Sequence, residues 1–140
     1  MMTIKLLMVC NNGCSSSVAA QNLQKQIDHA SLPYEVIVHS KAFYLTFPFH
    51  LEPYDIILLC PQTYHELLML EKDKLPDIPI YMIPPKIFVQ MSYSVLLQDI
   101  EDILLLYQST HQNPIHFPGE EHYMSNRRSI SYRDFIKQKV

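Results

Sequence analysis

A cysteine, Cys10, ends the apolar run Ile4 to Val9 and opens the segment Cys10-Asn11-Asn12-Gly13-Cys14-Ser15-Ser16-Ser17. The run predicts a strand, and a helical pattern beginning at Ser15 puts the thiol at the mouth of a loop that feeds a helix N-terminus. That is a place to hold phosphate on sulfur. The chain has only two glycines, and Gly13 lies where a loop wrapping an anion needs a residue free to take positive φ. Backbone N–H groups of Asn11 to Ser17 and of the first helical turn can converge on one centre, with the hydroxyls of Ser15, Ser16 and Ser17 as further donors. The same donors and the helix dipole stabilise a thiolate, which makes Cys10 a nucleophile near neutral pH. The chemistry expected is phosphoryl transfer through a phosphocysteine. The competing reading is a small buried residue capping a strand, since cysteine is among the residues most often buried; the anion loop beside Cys10 reverses that balance.

The elements that must position this thiol follow from the hydrophobic pattern. Ile4 to Val9 is short and apolar apart from Lys5, as in a strand buried on both faces. Val18, Ala19, Leu23 and Ile27 keep a helical period that ends near His29 and Ala30, before Ser31-Leu32-Pro33. Tyr34 to His39 alternates and is β-branched, a second strand. Ser40 to Pro53 reads either as a helical turn or as an irregular crossover. Asp55 to Cys60 is a third strand stopped by Pro61, followed by a helix from Tyr64 to about Lys72. Pro79 to Ile83 is a fourth strand closed by Pro84-Pro85. A last helix runs from Ser92 or Ser94 to Tyr107, with Val95, Leu96, Ile100, Ile103, Leu104 and Tyr107 on one stripe. Strand–helix alternation implies an α/β fold: a four-stranded parallel sheet with right-handed crossovers and helices on both faces. Reactive groups in such sheets gather at the carboxyl ends of the strands, where Cys10 and Cys60 both stand.

Length and composition bound the function. The 140 residues are 48% hydrophobic and 18% charged, with a net charge of −3. This is one globular domain of ordinary size, and nothing in it suggests nucleic acid. No apolar stretch reaches the ~18 residues that span a bilayer, and Met1-Met2-Thr3-Ile4-Lys5 is unlike a signal peptide. Three cysteines without framework spacing fit a reducing compartment, so a cytoplasmic protein is expected. The seven histidines are scattered. His29, His65, His39 and His50 have no ligand companions at metal-binding spacing, and His111, His116 and His122 sit in a polar tail; neither a metal nor a cofactor is expected.

The segment Val9 to Ser17, following Ile4-Lys5-Leu6-Leu7-Met8, resembles the active-site segment of the lactose/cellobiose-type IIB components of the bacterial phosphoenolpyruvate-dependent sugar phosphotransferase system. Asp55 to Gln62 is similar to that family's third strand and Gly-Pro-Gln turn, and Ile78 to Ile83 to its fourth strand. The resemblance covers roughly residues 3 to 108, a IIB-like domain over 1–108. It implies a flavodoxin-like, phosphatase-like sheet and a cysteine that accepts phosphate from a phosphohistidine of the IIA component, then passes it to sugar held by the membrane IIC permease. That maps phosphate transfer onto Cys10, the phosphate cradle onto Asn11, Asn12, Gly13, Cys14, Ser15, Ser16 and Ser17, and a neighbouring rim onto Gln62 and Tyr64. It also implies a place beside the permease at the membrane. The sequence departs from the family at Cys14, at Cys60 in place of the turn's glycine, and at Pro84-Pro85.

Three rival readings stay open. Low-molecular-weight tyrosine phosphatases and arsenate reductases share the strand, loop and cysteine, but those phosphatases need an arginine six residues on and an aspartic acid before proline. The first position is Ser16, and no Asp-Pro occurs. Without a guanidinium and a leaving-group acid, a thiophosphate should survive until a partner's nucleophile arrives in line. A regulatory or adaptor protein with a degenerate site is the second rival. A redox or metal role for Cys10 and Cys14 is the third, and their C-x3-C spacing lacks the usual two-residue gap. Cys60 is expected to pack.

Beyond Gln108 the character changes. Ser109 to Glu121 is polar and contains Pro114, Pro118 and Gly119, so residues 109–140 read as a linker or arm ending in a short helix, Tyr132 to Lys137, capped by Ser131. Phe117, Tyr123, Tyr132, Phe135 and Ile136 suit packing on the domain or on a second copy, which would make a homo-oligomer; the alternative is a tether to another component. Arg127-Arg128-Ser129 is expected to be an exposed charge cluster.

Overall fold

The computed structural model describes residues 2–11, 14–46 and 54–139, with the side chains of Cys14, Ser15 and Lys74 excepted. Four strands, β1 (Thr3–Cys10), β2 (Glu35–Ala42), β3 (Ile56–Leu59) and β4 (Ile80–Met82), form one sheet in the order β2-β1-β3-β4. Every pairing is parallel, with Cys10 opposite Ala42 and Val9 opposite both Lys41 and Leu59. The expected α/β architecture is present. In chain order the helices are α1 (Cys14–Asp28), α2 (Phe43–Thr46), α3 (Tyr64–Leu68), α4 (Pro85–Gln90), α5 (Tyr93–Thr110) and α6 (Tyr132–Gln138).

The period of two along β1 and β3 divides the core. Leu6, Met8, Ile56 and Leu58 face a layer built by Ala19, Ala20, Leu23 and Ile27 of α1 and Leu96, Ile100 and Ile103 of α5. Leu7, Val9, Ile57 and Leu59 face the opposite layer, where Leu67 of α3 is the buried anchor and Phe43, Leu70 and Tyr123 pack around it. The second helix is shorter than its sequence suggests, ending at Leu68 rather than near Lys72. Only Leu67 is buried there while Leu68 and Met69 are exposed, so no continuous apolar stripe holds a further turn against the sheet. Of the undecided stretch 40–53, residues through Ala42 extend β2 and Phe43–Thr46 make one helical turn; 47–53, including His50, lie outside the described residues. Pro84-Pro85 does end β4, and it also starts α4, with Pro85 in the first turn where its missing N–H is harmless.

Carboxamides close both sheet edges, which would otherwise expose unpaired backbone groups. At β2, Gln24 of α1 donates to the Val36 carbonyl (3.1 Å) and accepts from the Val38 N–H (2.8 Å). At β4, Asn113 accepts from the Ile80 N–H (2.8 Å) and donates to the carbonyls of Ile78 (2.8 Å) and Pro76 (3.2 Å). Ile115 then adds a parallel bridge to Tyr81, its N–H donating to the Ile80 carbonyl at 2.9 Å.

The linker reading of 109–121 therefore fails where the chain meets the sheet: Ile115 and Phe117 are core residues. Phe117 stacks on Tyr132 with ring centroids 4.1 Å apart and meets Tyr81 edge-on. The expected exposed cluster at 127–128 is also corrected, since only Arg127 faces outward. Arg128 is 4% exposed. All five of its N–H donors are used, on Asp99 (2.8 Å), Glu120 (2.8 and 3.1 Å), Tyr81 (3.1 Å) and the Ile130 carbonyl (2.8 Å). Composition misled because prolines, a glycine and paired arginines look solvated until a buried carboxylate, Asp99 of α5, supplies a partner. The helix α6 begins as expected, Ser131 Oγ accepting from the Asp134 N–H at 3.4 Å, and Arg133 holds it to α5 through Asp102 and Glu101.

Candidate active site

Cys10 is the last residue of β1, an inner strand flanked by β2 and β3. Its placement follows from the register that buries Leu6 and Met8 on the same face, because a period of two carries Cys10 to that face as well. The residue is 2% exposed. Helix α1 starts four residues later, and the Ser16 N–H donates to Cys10 Sγ at 3.3 Å. Ser16 is the third residue of α1, so its N–H belongs to the first-turn donors that have no intrahelical acceptor. One such donor is thus spent on sulfur, and the positive end of the helix dipole adds to it. This arrangement favours negative charge on the thiol, as a nucleophile and as a leaving group.

The expected cradle residues fall into three groups. Asn11 is exposed in a bend directly after Cys10, whereas Ser16 is wholly buried. Ser17 is half-buried and lines a groove between α1 and β2 with Gln21, Gln24, His39, Lys41 and Tyr54. Asn12 and Gly13, with the side chains of Cys14 and Ser15, lie outside the described residues. On the neighbouring strand the 3₁₀ turn Pro61–Thr63 carries Gln62, which is exposed. Thr63 fixes that turn by donating its hydroxyl (2.8 Å) and its N–H (3.0 Å) to the Cys60 carbonyl. Tyr64 opens α3, its ring edge-on to His65 and to Tyr123 of the tail.

Cys60 is the residue whose place sequence reasoning undervalued. Its N–H donates to the Val9 carbonyl at 2.9 Å, which continues the β1–β3 ladder by one step and sets Cys60 beside Cys10. Burial pushes its thiol up to about 12, and negative charge on Cys10 adds to the effect. Cys60 is therefore a neutral thiol at physiological pH. Two cysteines each predicted at a strand end were the available signal; the strand order that makes them neighbours was the missing step.

Among the described residues no cluster of histidine, cysteine and carboxylate side chains is arranged to hold a metal ion, and no helix is long and apolar enough to cross a membrane. Residues 5–99 match a family model described as the lactose/cellobiose-specific IIB subunit of the PTS system. A search of curated proteins finds no match. The matched stretch holds β1 from Lys5 onward, β2 to β4, α1 to α4, Cys10 and Cys60, and stops at Asp99 within α5.

Proposed function

Because the chain belongs to the lactose/cellobiose-specific IIB subunits of the sugar phosphotransferase system, and is thereby a phosphoryl carrier in sugar transport, we propose that Cys10 is the residue that carries the phosphoryl group. The carrying observation is the Ser16 N–H, at the start of α1, 3.3 Å from Cys10 Sγ. In the first step the Cys10 thiolate attacks the phosphorus of a phosphohistidine on a IIA protein, and the imidazole nitrogen leaves with the P–N electron pair. In the second a hydroxyl of sugar held by a IIC permease attacks the same phosphorus and loses its proton, and the Cys10 thiolate leaves. Both steps need an in-line approach, and the sulfur is anionic before the first and after the second, where the first turn of α1 receives its charge.

The cradle is assigned to the backbone of Asn11, Asn12, Gly13, Cys14, Ser15, Ser16 and Ser17, with Gln62 and Tyr64 as its rim. The reading also places the protein in the cytoplasm against the permease. Hydrolysis is suppressed in this scheme because position 16 carries a buried serine instead of a guanidinium that would grip a transition state. The test is intact-protein mass spectrometry after incubation with phosphoenolpyruvate, the general phosphocarriers and candidate IIA proteins. One phosphoryl group should appear only when a phosphorylated IIA protein is present, and Cys10→Ala should abolish it. Equal labelling of Cys10→Ala, or turnover of an aryl phosphate by the protein alone, would overturn the assignment.

A further inference from the structure

Cys60 is buried, neutral and absent from the transfer steps above, so its position beside Cys10 calls for a separate account. Val9 and Leu59 are partners in the β1–β3 ladder, and Cys10 and Cys60 are the next residues along the two parallel strands. Both side chains lie on the α1 side of the sheet, while Val9 and Leu59 lie on the other. Adjacent strands run ~4.8 Å apart, which falls inside the roughly 4.4–6.8 Å range of Cα separations that a disulfide bridges. The Coulombic influence of Cys10 on the Cys60 thiol is a second sign that the sulfurs are close.

We propose that Cys10 and Cys60 form an oxidation site, in which a hydroperoxide converts the unloaded carrier to an intramolecular Cys10–Cys60 disulfide that a dithiol reductant reopens. The inference rests on Cys10 being the phosphate-bearing residue only for its consequence, the loss of carrier activity. The Cys10 thiolate attacks the distal peroxide oxygen; the O–O bond breaks, the other oxygen leaves as water or alcohol after taking a proton, and sulfur becomes a sulfenic acid. The Cys60 sulfur then attacks the Cys10 sulfur, an S–S bond forms, and hydroxide leaves with the Cys60 proton as water. In sum two thiols are oxidised and one hydroperoxide is reduced.

The two sulfurs have distinct parts. Cys10 is the attacking thiol, because the α1 terminus favours its anion. Cys60 resolves: burial, the larger cause that disfavours its ionisation, persists, while the smaller one, negative charge on Cys10, vanishes once Cys10 is a neutral sulfenic acid. Cys10 and Cys60 stand directly opposite on adjacent strands, so forming the bond must draw their Cβ atoms to the ~3.8 Å of a relaxed disulfide, and any strain left in it makes the bond easier to reduce. A phosphoryl group on Cys10 caps its sulfur, which confines oxidation to the unloaded state.

The test treats the full-length protein with hydrogen peroxide, blocks remaining thiols, and maps linked peptides by mass spectrometry; phosphoryl acceptance from a phosphorylated IIA protein is measured in parallel before oxidation, after it, and after dithiothreitol. A Cys10–Cys60 peptide with loss of two hydrogens, retained in Cys14→Ser, is expected. Phosphoryl acceptance should be lost and then regained. Cys60→Ser should pass instead to an irreversible sulfinic acid at Cys10 and stay inactive after reductant. A Cys10–Cys14 link, or sulfinic acid accumulating equally fast in wild type and Cys60→Ser, would overturn the proposal. If the Cys10–Cys60 link forms in a protein that never accepts phosphate when reduced, the carrier assignment fails and the oxidation site stands.

Discussion

Arg128→Met removes the cation that joins the tail to the domain while keeping an apolar stem against Phe117 and Tyr132, whose rings lie 5.4 and 5.6 Å from the guanidinium carbon. The Arg128 side chain is 1% exposed, Asp99 is wholly buried and Glu120 is 11% exposed. Without Arg128 two carboxylates are left facing each other in a dry site. Breaking a buried ion pair in this way costs about 3–5 kcal/mol, and for a chain of this length each kcal/mol lowers Tm by ~3–4 °C. The expected fall is about 10–20 °C at neutral pH, measured by circular dichroism melts. The pH dependence is the sharper readout. In the native protein burial pushes the Asp99 carboxyl up, while Arg128 and the Tyr132 N–H pull it down. Losing Arg128 removes the larger downward pull, so the folded-state pKa rises further above the unfolded value near ~3.9. A carboxyl with a raised folded pKa binds its proton more tightly in the native state. Stability then falls as pH rises through that folded value and is recovered on acidification. The deficit of Arg128→Met should therefore be greatest at pH 7 and shrink toward about pH 4, and Arg128→Met with Asp99→Asn should recover part of it at pH 7. A loss below ~1 kcal/mol, or a deficit that stays constant with pH, would refute the claim that this pair anchors the tail.

Three further substitutions probe the rest of the architecture. Asn113→Ala leaves the Ile80 N–H and the Ile78 and Pro76 carbonyls without their carboxamide partner, and should cost about 2–3 kcal/mol in urea unfolding; a midpoint shift worth less than ~0.5 kcal/mol would show that water replaces it. Leu23→Ala opens a cavity between α1 and the sheet at a fully buried position, with an expected loss of roughly 2–5 kcal/mol in urea unfolding; a loss below ~1 kcal/mol would show that the site collapses around the smaller side chain. Deleting residues 111–140 strips Ile115 and Phe117 from Tyr81 and uncovers Asp99. The shortened protein should bind a hydrophobic dye and lose near-ultraviolet dichroism, and a monomer as stable as the full chain would refute the packing of the tail.

The strands, the two long helices and the position of Cys10 were legible because each is a local pattern. Ile4 to Val9 and Asp55 to Cys60 are apolar runs of strand length, and Ser15 starts a period of 3.6 that continues through Leu23 and Ile27. What misled was the absence of partners from a linear reading. Helix α4 was hidden because Pro84-Pro85 reads equally well as a strand stop and as a helix start. Arg128 looked solvated because neither Asp99 nor Glu120 stands near it on the helical or strand period. Phe117 was legible as a packing residue, but the tail's polar composition concealed Ile115, whose burial depends on an open edge of β4 that no local window displays.

By itself the sequence determined the alternation of elements and the family, and it singled out Cys10 as the candidate for the chemistry, because each rests on residue types within a few positions of one another. Tertiary structure decided which residues meet. It brought the Ser16 N–H to the Cys10 sulfur, set Cys60 next to that sulfur through the pairing of β1 with β3, and closed Arg128 over Asp99 across 29 residues of chain. Those contacts depend on strand order and on which sheet edge the tail covers, and both are settled by the summed burial of the whole chain rather than by any segment of it.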